Sequence, residues 1–352
     1  MLTTILATGA VLGILIIVHE LGHFLAAKIS GVRVERFSLG FWPRLAGIKI
    51  GDTDYCISWI PLGGYVKLSG MIDESMDGDT IKGEPWEFMS KSPLQKIFII
   101  SAGVIMNIIL AIIILAILTF VSGIGELDQT TVISSVRDDY PAASVGMEAG
   151  DKIISLDGIE INSWDELTDY IHSRPIVEIE VAWMRDELKY TELLTTKSDM
   201  VPVEGELKNL GMIGIGPTVN VREAGLMESI GSGFTRTYFW GKYTLISLKM
   251  LISGEQSFKA IGGPIFIAQL AGRSARSGMD SLFQLIAILS INLAILNILP
   301  IPAFDGGHLV VILIEWVKRK PLSINIKMAI QQVGFALFLV LAALVIYNDL
   351  SR

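Results

Sequence analysis

The sequence contains a single cysteine, Cys56, and only four histidines. One cysteine excludes an internal disulfide and any cysteine-rich zinc cluster. Charge is also scarce, because Asp, Glu, Lys and Arg together make up 18% of the 352 residues. Any metal-dependent chemistry must therefore draw on a short set of positions, and its imidazoles can come only from His19, His23, His172 and His308.

An excess of positive charge is missing as well, since the formal net charge is -8. The excess of negative charge is concentrated in one segment. Between Gly123 and Pro217 there are 19 acidic and 7 basic residues, a net charge of -12, and the rest of the chain sums to +4. Nucleic-acid binding needs a basic face, so it is excluded. The asymmetry predicts an acidic soluble module inserted between membrane segments.

Apolar residues are abundant: 51% of the chain is hydrophobic and its mean hydropathy is +0.55. These values are typical of a membrane protein with several spans. The first apolar stretch has no Lys or Arg before it and no clear cleavage site after it, which favours a retained helix over a signal peptide. The sequence therefore predicts a polytopic α-helical membrane protein with four transmembrane helices, at 1–30, 93–121, 281–317 and 326–348.

The orientation follows from basic residues in the short turn between the third and fourth spans. Lys318, Arg319, Lys320 and Lys327 cluster there, and the positive-inside rule assigns such a turn to the cytoplasm. Four spans then put both termini and the acidic module outside. The segment 31–92 is predicted to lie on the cytoplasmic side.

The acidic module has the pattern of short strands separated by turns. Ala142 and Ala143 favour a short helix, Lys152–Leu156 a strand that a glycine turn ends, and Trp164–His172 an amphipathic helix. This pattern resembles a PDZ domain, predicted at 123–217. PDZ domains bind peptides by adding a strand to an open sheet edge.

Two further segments flank the spans. Apolar residues alternate between Val32 and Ser69, which predicts strands whose edge could pair with an extended chain. The segment 218–280 is predicted to form amphipathic linker helices. Such a helix could lie at the membrane surface or pack on the PDZ-like module, and the sequence leaves both possibilities open.

The motif His19-Glu20-Leu21-Gly22-His23 lies inside the first apolar stretch. In a helix, positions i and i+4 share one face, so both imidazoles can reach one metal ion. Glu20 is then placed to take a proton from a water activated by the metal. Polar groups inside a membrane helix are unfavourable without a partner. This favours a metal site over two histidines that merely face a polar bundle interior.

A catalytic zinc needs three protein ligands and one open position. The strongest candidate for the third ligand is Asp305, which follows Pro300 and Pro302 and precedes two glycines. Proline breaks a helix, and broken backbone at membrane depth is tolerated only where it is buried or lines a wet cavity. The alternative is an aspartate that ends a helix at the cytoplasmic surface. In the predicted topology both polar clusters fall toward the same, cytoplasmic end.

HELGH at 19–23 and NILPIPAFDGG at 297–307 together resemble the site-2 protease family of intramembrane metalloproteases. The single PDZ-like module resembles the bacterial regulator-of-sigma-E protease branch. The sequence departs from the family in two ways. Phe304 stands where the family usually has Leu before Asp-Gly. Some relatives carry two PDZ copies, so how they select substrates by size transfers less well to this chain. Four further segments resemble that branch: Gly103–Asn107, Gly63–Leu68, Gly262–Ile265 and Tyr347–Asp349. Gly63–Leu68 resembles the Gly-rich end of its membrane-associated β-loop, which implies such a loop on the cytoplasmic side of this chain.

The resemblance implies that His19, His23 and Asp305 bind Zn²⁺ and that Glu20 is the general base. It implies a bacterial inner-membrane protein whose substrates are single-span membrane proteins, of the anti-sigma-factor type, and remnant signal peptides. Another protease would already have shortened them. Substrate-binding roles are implied for Asn107, Asn292, Asn297, Gly63 and Gly64; each Asn could instead make only an interhelical hydrogen bond.

Two other functions remain open at this stage. A metal-ion transporter also places histidines and carboxylates inside helices, but it predicts ligands spread along a path. A non-catalytic scaffold could use the PDZ-like module to recruit membrane partners, and it would make Glu20 dispensable.

Overall fold

The computed structural model describes residues 1–71, 82–203 and 206–351. The chain divides into two compact units. The first combines Met1–Thr119 with Leu226–Arg352, and the second is Phe120–Gly225. The second unit is therefore an insertion between two halves of the first.

Among the described residues there are nine α-helices, and four of them are long and apolar enough to cross a membrane: α1, α2, α7 and α9. This confirms the predicted polytopic helical protein. The helices are α1 (Leu2–Ile29), α2 (Pro93–Ser122), α3 (Pro141–Ser144), α4 (Trp164–His172), α5 (Leu226–Ser253), α6 (Pro264–Ser277), α7 (Met279–Ile298), α8 (Asp305–Lys318) and α9 (Ile324–Leu350).

The predicted third span at 281–317 consists of two helices, α7 and α8, on either side of the break at 299–304. Proline cannot continue a helix, and Pro300 and Pro302 both fall in this break. The chain reverses so tightly that a Cβ on Gly306 would lie 2.1 Å from the carbonyl oxygen of Leu299. Only a glycine fits there, and the reversal makes Asp305 the first residue of α8.

Helix α5 packs on the spanning helices of the first unit. Gly233 lies against α2, where an added Cβ would be 2.6 Å from the carbonyl oxygen of Ile112. Farther along, the hydroxyl of Thr244 donates to Asn292 Oδ1 on α7 at 2.7 Å. The sequence offered the membrane surface or the PDZ-like module as the partner of this helix, and the structure packs it on α2 and α7 instead.

The predicted β-loop is a long hairpin of β1 (Val34–Ile50) and β2 (Thr53–Leu68). The second strand folds back along the first: residues 36–39 of β1 pair with 54–57 of β2 on one edge and with 64–67 of β2 on the other. The segment 64–68 therefore forms one border of this small sheet. No other strand of the described residues pairs with its outer edge.

The second unit is built around an antiparallel sheet of order β6-β5-β7-β8, with paired ribbons β9/β10, β4/β11 and β3/β12. Its core contains Leu156, Leu167 and Trp183. Ser163 caps α4 by accepting from the backbone of Glu166. These elements confirm the predicted inserted PDZ domain. The strands are β3 (Ile124–Leu127), β4 (Ile133–Val136), β5 (Lys152–Leu156), β6 (Ile159–Glu160), β7 (Glu178–Arg185), β8 (Leu188–Thr195), β9 (Lys197–Val203), β10 (Glu206–Met212), β11 (Ile215–Pro217) and β12 (Val219–Arg222).

Candidate metal centre

Helix α1 carries His19 and His23 on one buried face, each 8% exposed. Their Nε2 atoms lie 3.2 Å apart. Asp305, at the start of α8, places its Oδ2 3.2 Å from His19 Nε2 and 3.4 Å from His23 Nε2. Residues separated by almost the whole chain therefore meet at one point, as the sequence predicts.

The three atoms have the spacing that a tetrahedral metal ion requires. Zinc bonds of about 2.0–2.1 Å at the tetrahedral angle separate neighbouring ligands by about 3.3 Å. The observed sides of the triangle are 3.2, 3.2 and 3.4 Å. Asp305 Oδ2 is buried, yet no hydrogen bond satisfies it. A buried carboxylate oxygen beside two imidazole nitrogens calls for a cation among them, so the residues fit zinc.

The ring of His23 is fixed for metal binding. Its Nδ1 lies 2.9 Å from the carbonyl oxygen of Ile99 on α2. A carbonyl only accepts, so Nδ1 carries the proton and donates it to Ile99. The lone pair is then on Nε2, which faces Asp305. Such a contact behind a ligating histidine sets both its tautomer and its orientation.

Helix α2 approaches these rings very closely because residue 103 is glycine. A Cβ at Gly103 would lie 2.4 Å from His23 Nε2 and 2.7 Å from His19 Cε1. At Gly22 of α1, an added Cβ would lie 2.4 Å from the carbonyl oxygen of Ala102. The two helices therefore touch backbone to backbone at the level of the metal ligands.

Glu20 lies between the metal ligands and the border segment 64–68. Its carboxylate interacts with the backbone of Val66. Gly64 allows this approach, because an added Cβ would lie 2.7 Å from Ile16 Cγ2 and 3.4 Å from Glu20 Cγ. Gly63 has φ of 149° and turns the chain into this segment. Both predicted glycines thus shape the β-loop beside Glu20.

One cavity joins the metal ligands, Glu20 and the border segment. Asn297 also lines it, with its Nδ2 3.2 Å from His19 Nε2, and its role in substrate binding stays a prediction. His308 faces the same cavity but does not belong to the ligand group. The lining residues are His19, Glu20, His23, Gly64, Tyr65, Val66, Leu68, Met71, Ile100, Asn297, Ala303, Phe304, Asp305 and His308.

Two asparagines predicted to bind substrate do not line this cavity. Asn292 accepts the hydroxyl of Thr244 and does not line the cavity, so it makes the interhelical contact that was the alternative for it. Asn107 is 0% exposed and contacts His19 instead. A fully buried side chain has no surface to present to a substrate, so Asn107 reaches His19 and not the cavity.

Sequence reasoning missed the part played by Ile99. It acts through its backbone carbonyl, which every residue has, so no residue type signals it. The only available clue is spacing: Ile99, Gly103 and Asn107 recur every four residues along α2, as His19 and His23 do along α1.

The family model described as peptidase family M50 matches residues 7–341. A zinc metalloprotease homologue of Clostridium perfringens is 35% identical over 341 residues, covering 96% of this chain and 95% of the relative. The regulator of sigma-W protease RasP of Bacillus subtilis is 28% identical over 424 residues, covering 99% and 98%. Among solved structures, the PDZ domain of an SdrC-like protein of Listeria monocytogenes is 25% identical with a TM-score of 0.22, covering 27% of this chain and 94% of that one.

The chain belongs to peptidase family M50, the site-2 protease family of membrane-embedded zinc metalloproteases. It is thus an enzyme, which removes the transporter and the scaffold hypotheses. The geometry agrees: within the described part of the chain, the one group able to hold a metal is His19, His23 and Asp305, with no succession of sites along a path.

Proposed function

We propose that this protein binds one zinc ion through His19, His23 and Asp305 and hydrolyses a peptide bond in the membrane segment of a single-span protein. The observation that carries the proposal is the triangle of Nε2, Nε2 and Oδ2 with sides of 3.2 to 3.4 Å. Glu20, which directly follows His19 in the chain, lines the same cavity.

The chemistry divides between the ion and the side chains. Zinc, when bound, supplies a Lewis acid that lowers the pKa of water and polarises the scissile carbonyl. The Glu20 carboxylate takes the proton of the attacking water and later delivers it to the leaving amine nitrogen. Asn297, with its amide in the cavity, is placed to donate a hydrogen bond to the substrate backbone.

The border segment 64–68 is the proposed docking edge for the substrate. A membrane helix hides its peptide bonds in its own hydrogen bonds, so it must unwind before it is cut. An extended chain could pair with the outer edge of 64–68, which no described strand occupies. Alternate residues of a strand direct their backbone groups to the same edge. Since Val66 faces Glu20, Gly64 and Leu68 face the cavity with it.

The position of the ligands in their helices favours cleavage near the cytoplasmic side. His23 and His19 lie six and ten residues before the end of α1 at Ile29, which is roughly 9 and 15 Å at 1.5 Å per residue. The basic turn after α8 marks the cytoplasmic side under the positive-inside rule. In the proposed orientation the PDZ domain and both termini are outside, in a bacterial inner membrane.

The proposed substrates are single-span proteins whose outer part another protease has already removed, such as anti-sigma factors and remnant signal peptides. The name of the Bacillus subtilis relative, a regulator of sigma-W protease, supports a role in sigma-factor regulation. The PDZ domain would admit substrates with a short outer part and exclude bulky ones.

The deciding experiment replaces the base and leaves the ligands. Glu20→Gln, the matched control Glu255→Gln and the unmodified protein are reconstituted in lipid vesicles with a model single-span substrate. We expect Glu20→Gln to retain zinc and lose cleavage. Glu255, an exposed residue that accepts a hydrogen bond from Ser253, should be replaceable without effect.

The outcomes separate the possible failures. Retained cleavage by Glu20→Gln would reject the assigned base. Zinc absent from the purified unmodified protein, with another metal in its place, would reject the cofactor but leave the site. An active protein that cuts only full-length substrates would reject the proposed requirement for prior shortening.

A further inference from the structure

Asn107 is the one polar side chain of α2 at the metal centre. It is 0% exposed, and its side-chain nitrogen is placed 3.4 Å from His19 Nδ1. Its Oδ1 is buried without any hydrogen-bond partner. An unsatisfied amide oxygen inside an apolar helix bundle is unfavourable, and it requires an explanation.

The proton on His19 decides which end of the Asn107 amide should face it. If His19 Nε2 is to bind a metal, its lone pair must be free, and the ring proton must then be on Nδ1. Nδ1–H needs an acceptor, whereas the amide nitrogen of Asn107 offers only donors. The two ends of an amide have the same shape, so rotating the Asn107 amide by 180° places Oδ1 against Nδ1–H and pairs these two groups. Nδ2 then takes the position at which Oδ1 has no partner.

The neighbouring histidine has the same arrangement, because His23 Nδ1 donates to the carbonyl of Ile99 and leaves Nε2 free for the metal. Both ligands would thus be oriented from α2, one through its backbone and the other through a side chain.

The spacing along α2 fits this function. Ile99, Gly103 and Asn107 lie on one helical face at intervals of four residues, and Gly103 makes room for the two rings between the acceptors. Asn107 is held in place by α7, since the hydroxyl of Ser290 donates to its backbone oxygen at 2.8 Å. Its side chain remains available for His19.

We infer that Asn107 is a positioning residue: its side-chain oxygen accepts the Nδ1 proton of His19 and fixes the tautomer in which Nε2 can bind the metal. It does not touch substrate. This inference rests on the proposed role of His19 as a ligand, and it replaces the substrate-binding role that the sequence suggested for Asn107.

The test measures zinc affinity of the full chain in detergent, by competition with a chromophoric chelator. Asn107→Leu keeps the volume and removes the acceptor, whereas Asn107→Asp keeps an acceptor. Losing such a contact behind a ligand typically lowers metal affinity roughly 10- to 100-fold. We expect that loss for Asn107→Leu and an affinity close to that of the unmodified protein for Asn107→Asp.

Ser290→Ala is the matched control, because it removes the α7 contact to the Asn107 backbone without touching His19. It should leave zinc affinity unchanged. Two results would contradict this role. If Asn107 served only helix packing, Ser290→Ala and Asn107→Asp would weaken zinc binding as much as Asn107→Leu does. Alternatively, Asn107→Leu would bind zinc normally. Either pattern overturns the inference.

A spectroscopic measurement covers the case in which Asn107→Leu does not fold. Asn107→Ala, which also lacks an acceptor, is loaded with Co²⁺, whose visible absorption reports ligand geometry. We expect an altered spectrum for Asn107→Ala and the normal one for Asn107→Asp; identical spectra would reject the inference. If the unmodified protein bound neither metal, the proposed function would fail first, which is a distinguishable result.

Discussion

Replacing Gly103 by alanine should disturb the metal centre and lower the activity of this protein. A Cβ at this position would lie 2.4 Å from His23 Nε2 and 2.7 Å from His19 Cε1. Non-bonded carbon contacts are optimal at about 3.5 Å or more, so the rings or α2 must move by about 1 Å. Metal ligation tolerates deviations of only about 0.2 Å.

The expected effect is large. A displacement of about 1 Å at a catalytic group lowers the rate by about 100-fold. We therefore expect Gly103→Ala to reduce kcat/KM by about that factor and to bind zinc more weakly. The assay is cleavage of a single-span model substrate in vesicles, with zinc determined on the same preparations.

Gly13→Ala is the matched control, because an added Cβ on Gly13 meets nothing within 4 Å in the described structure. It places the same substitution in an apolar helix, and its activity should be unchanged. Normal zinc binding and cleavage by Gly103→Ala would refute the close approach of α2 and the ligand triangle derived from it.

Three further predictions address other parts of the molecule. Gly64→Val should lower cleavage more than zinc content, because its side chain would meet Ile16 and displace the border segment; equal losses of both would contradict a role in docking. Asp349 accepts from the backbone at the start of α6, so Asp349→Ala should destabilise the first unit by about 1 kcal/mol, measured by thermal unfolding. In the PDZ domain, burial raises the pKa of Asp151, but the paired Arg185 and the backbone N–H of Glu148 together outweigh it and hold that pKa below its ordinary value. Because the folded pKa is depressed, this stabilisation is present above about pH 4 and is lost as the pH falls further; hydrogen exchange of the PDZ amides should show the loss, and Asp151→Asn should remove it.

The residues of the candidate metal centre could be predicted from the sequence because polar groups are conspicuous in apolar segments. His19, His23 and Asp305 interrupt stretches in which an unpaired charge is unfavourable. The PDZ domain was recognisable for a similar local reason: strand β5 and helix α4 have the predicted bounds, since a glycine turn and the Ser163 cap mark their ends.

Features that depend on packing between distant segments could not be predicted. The alternation of residues in the β-loop predicts strands, but it does not show that 36–39 would lie between two parts of β2. The roles of Ile99 and Asn107 depend on how α2 crosses α1. That crossing is set by close contacts at Gly22 and Gly103, and neither glycine carries a local signal of its partner.

The distance along the chain between the metal ligands has a consequence for biosynthesis. His23 and Asp305 are separated by 282 positions, and the whole PDZ domain is translated between them. At roughly 5 to 20 residues per second, a ribosome needs about 15 to 60 s to cover that interval. Until α8 has entered the membrane, the emerging polypeptide has His19 and His23 but lacks Asp305, the third proposed ligand. In the proposed mechanism, activity therefore begins only after α8 is in place.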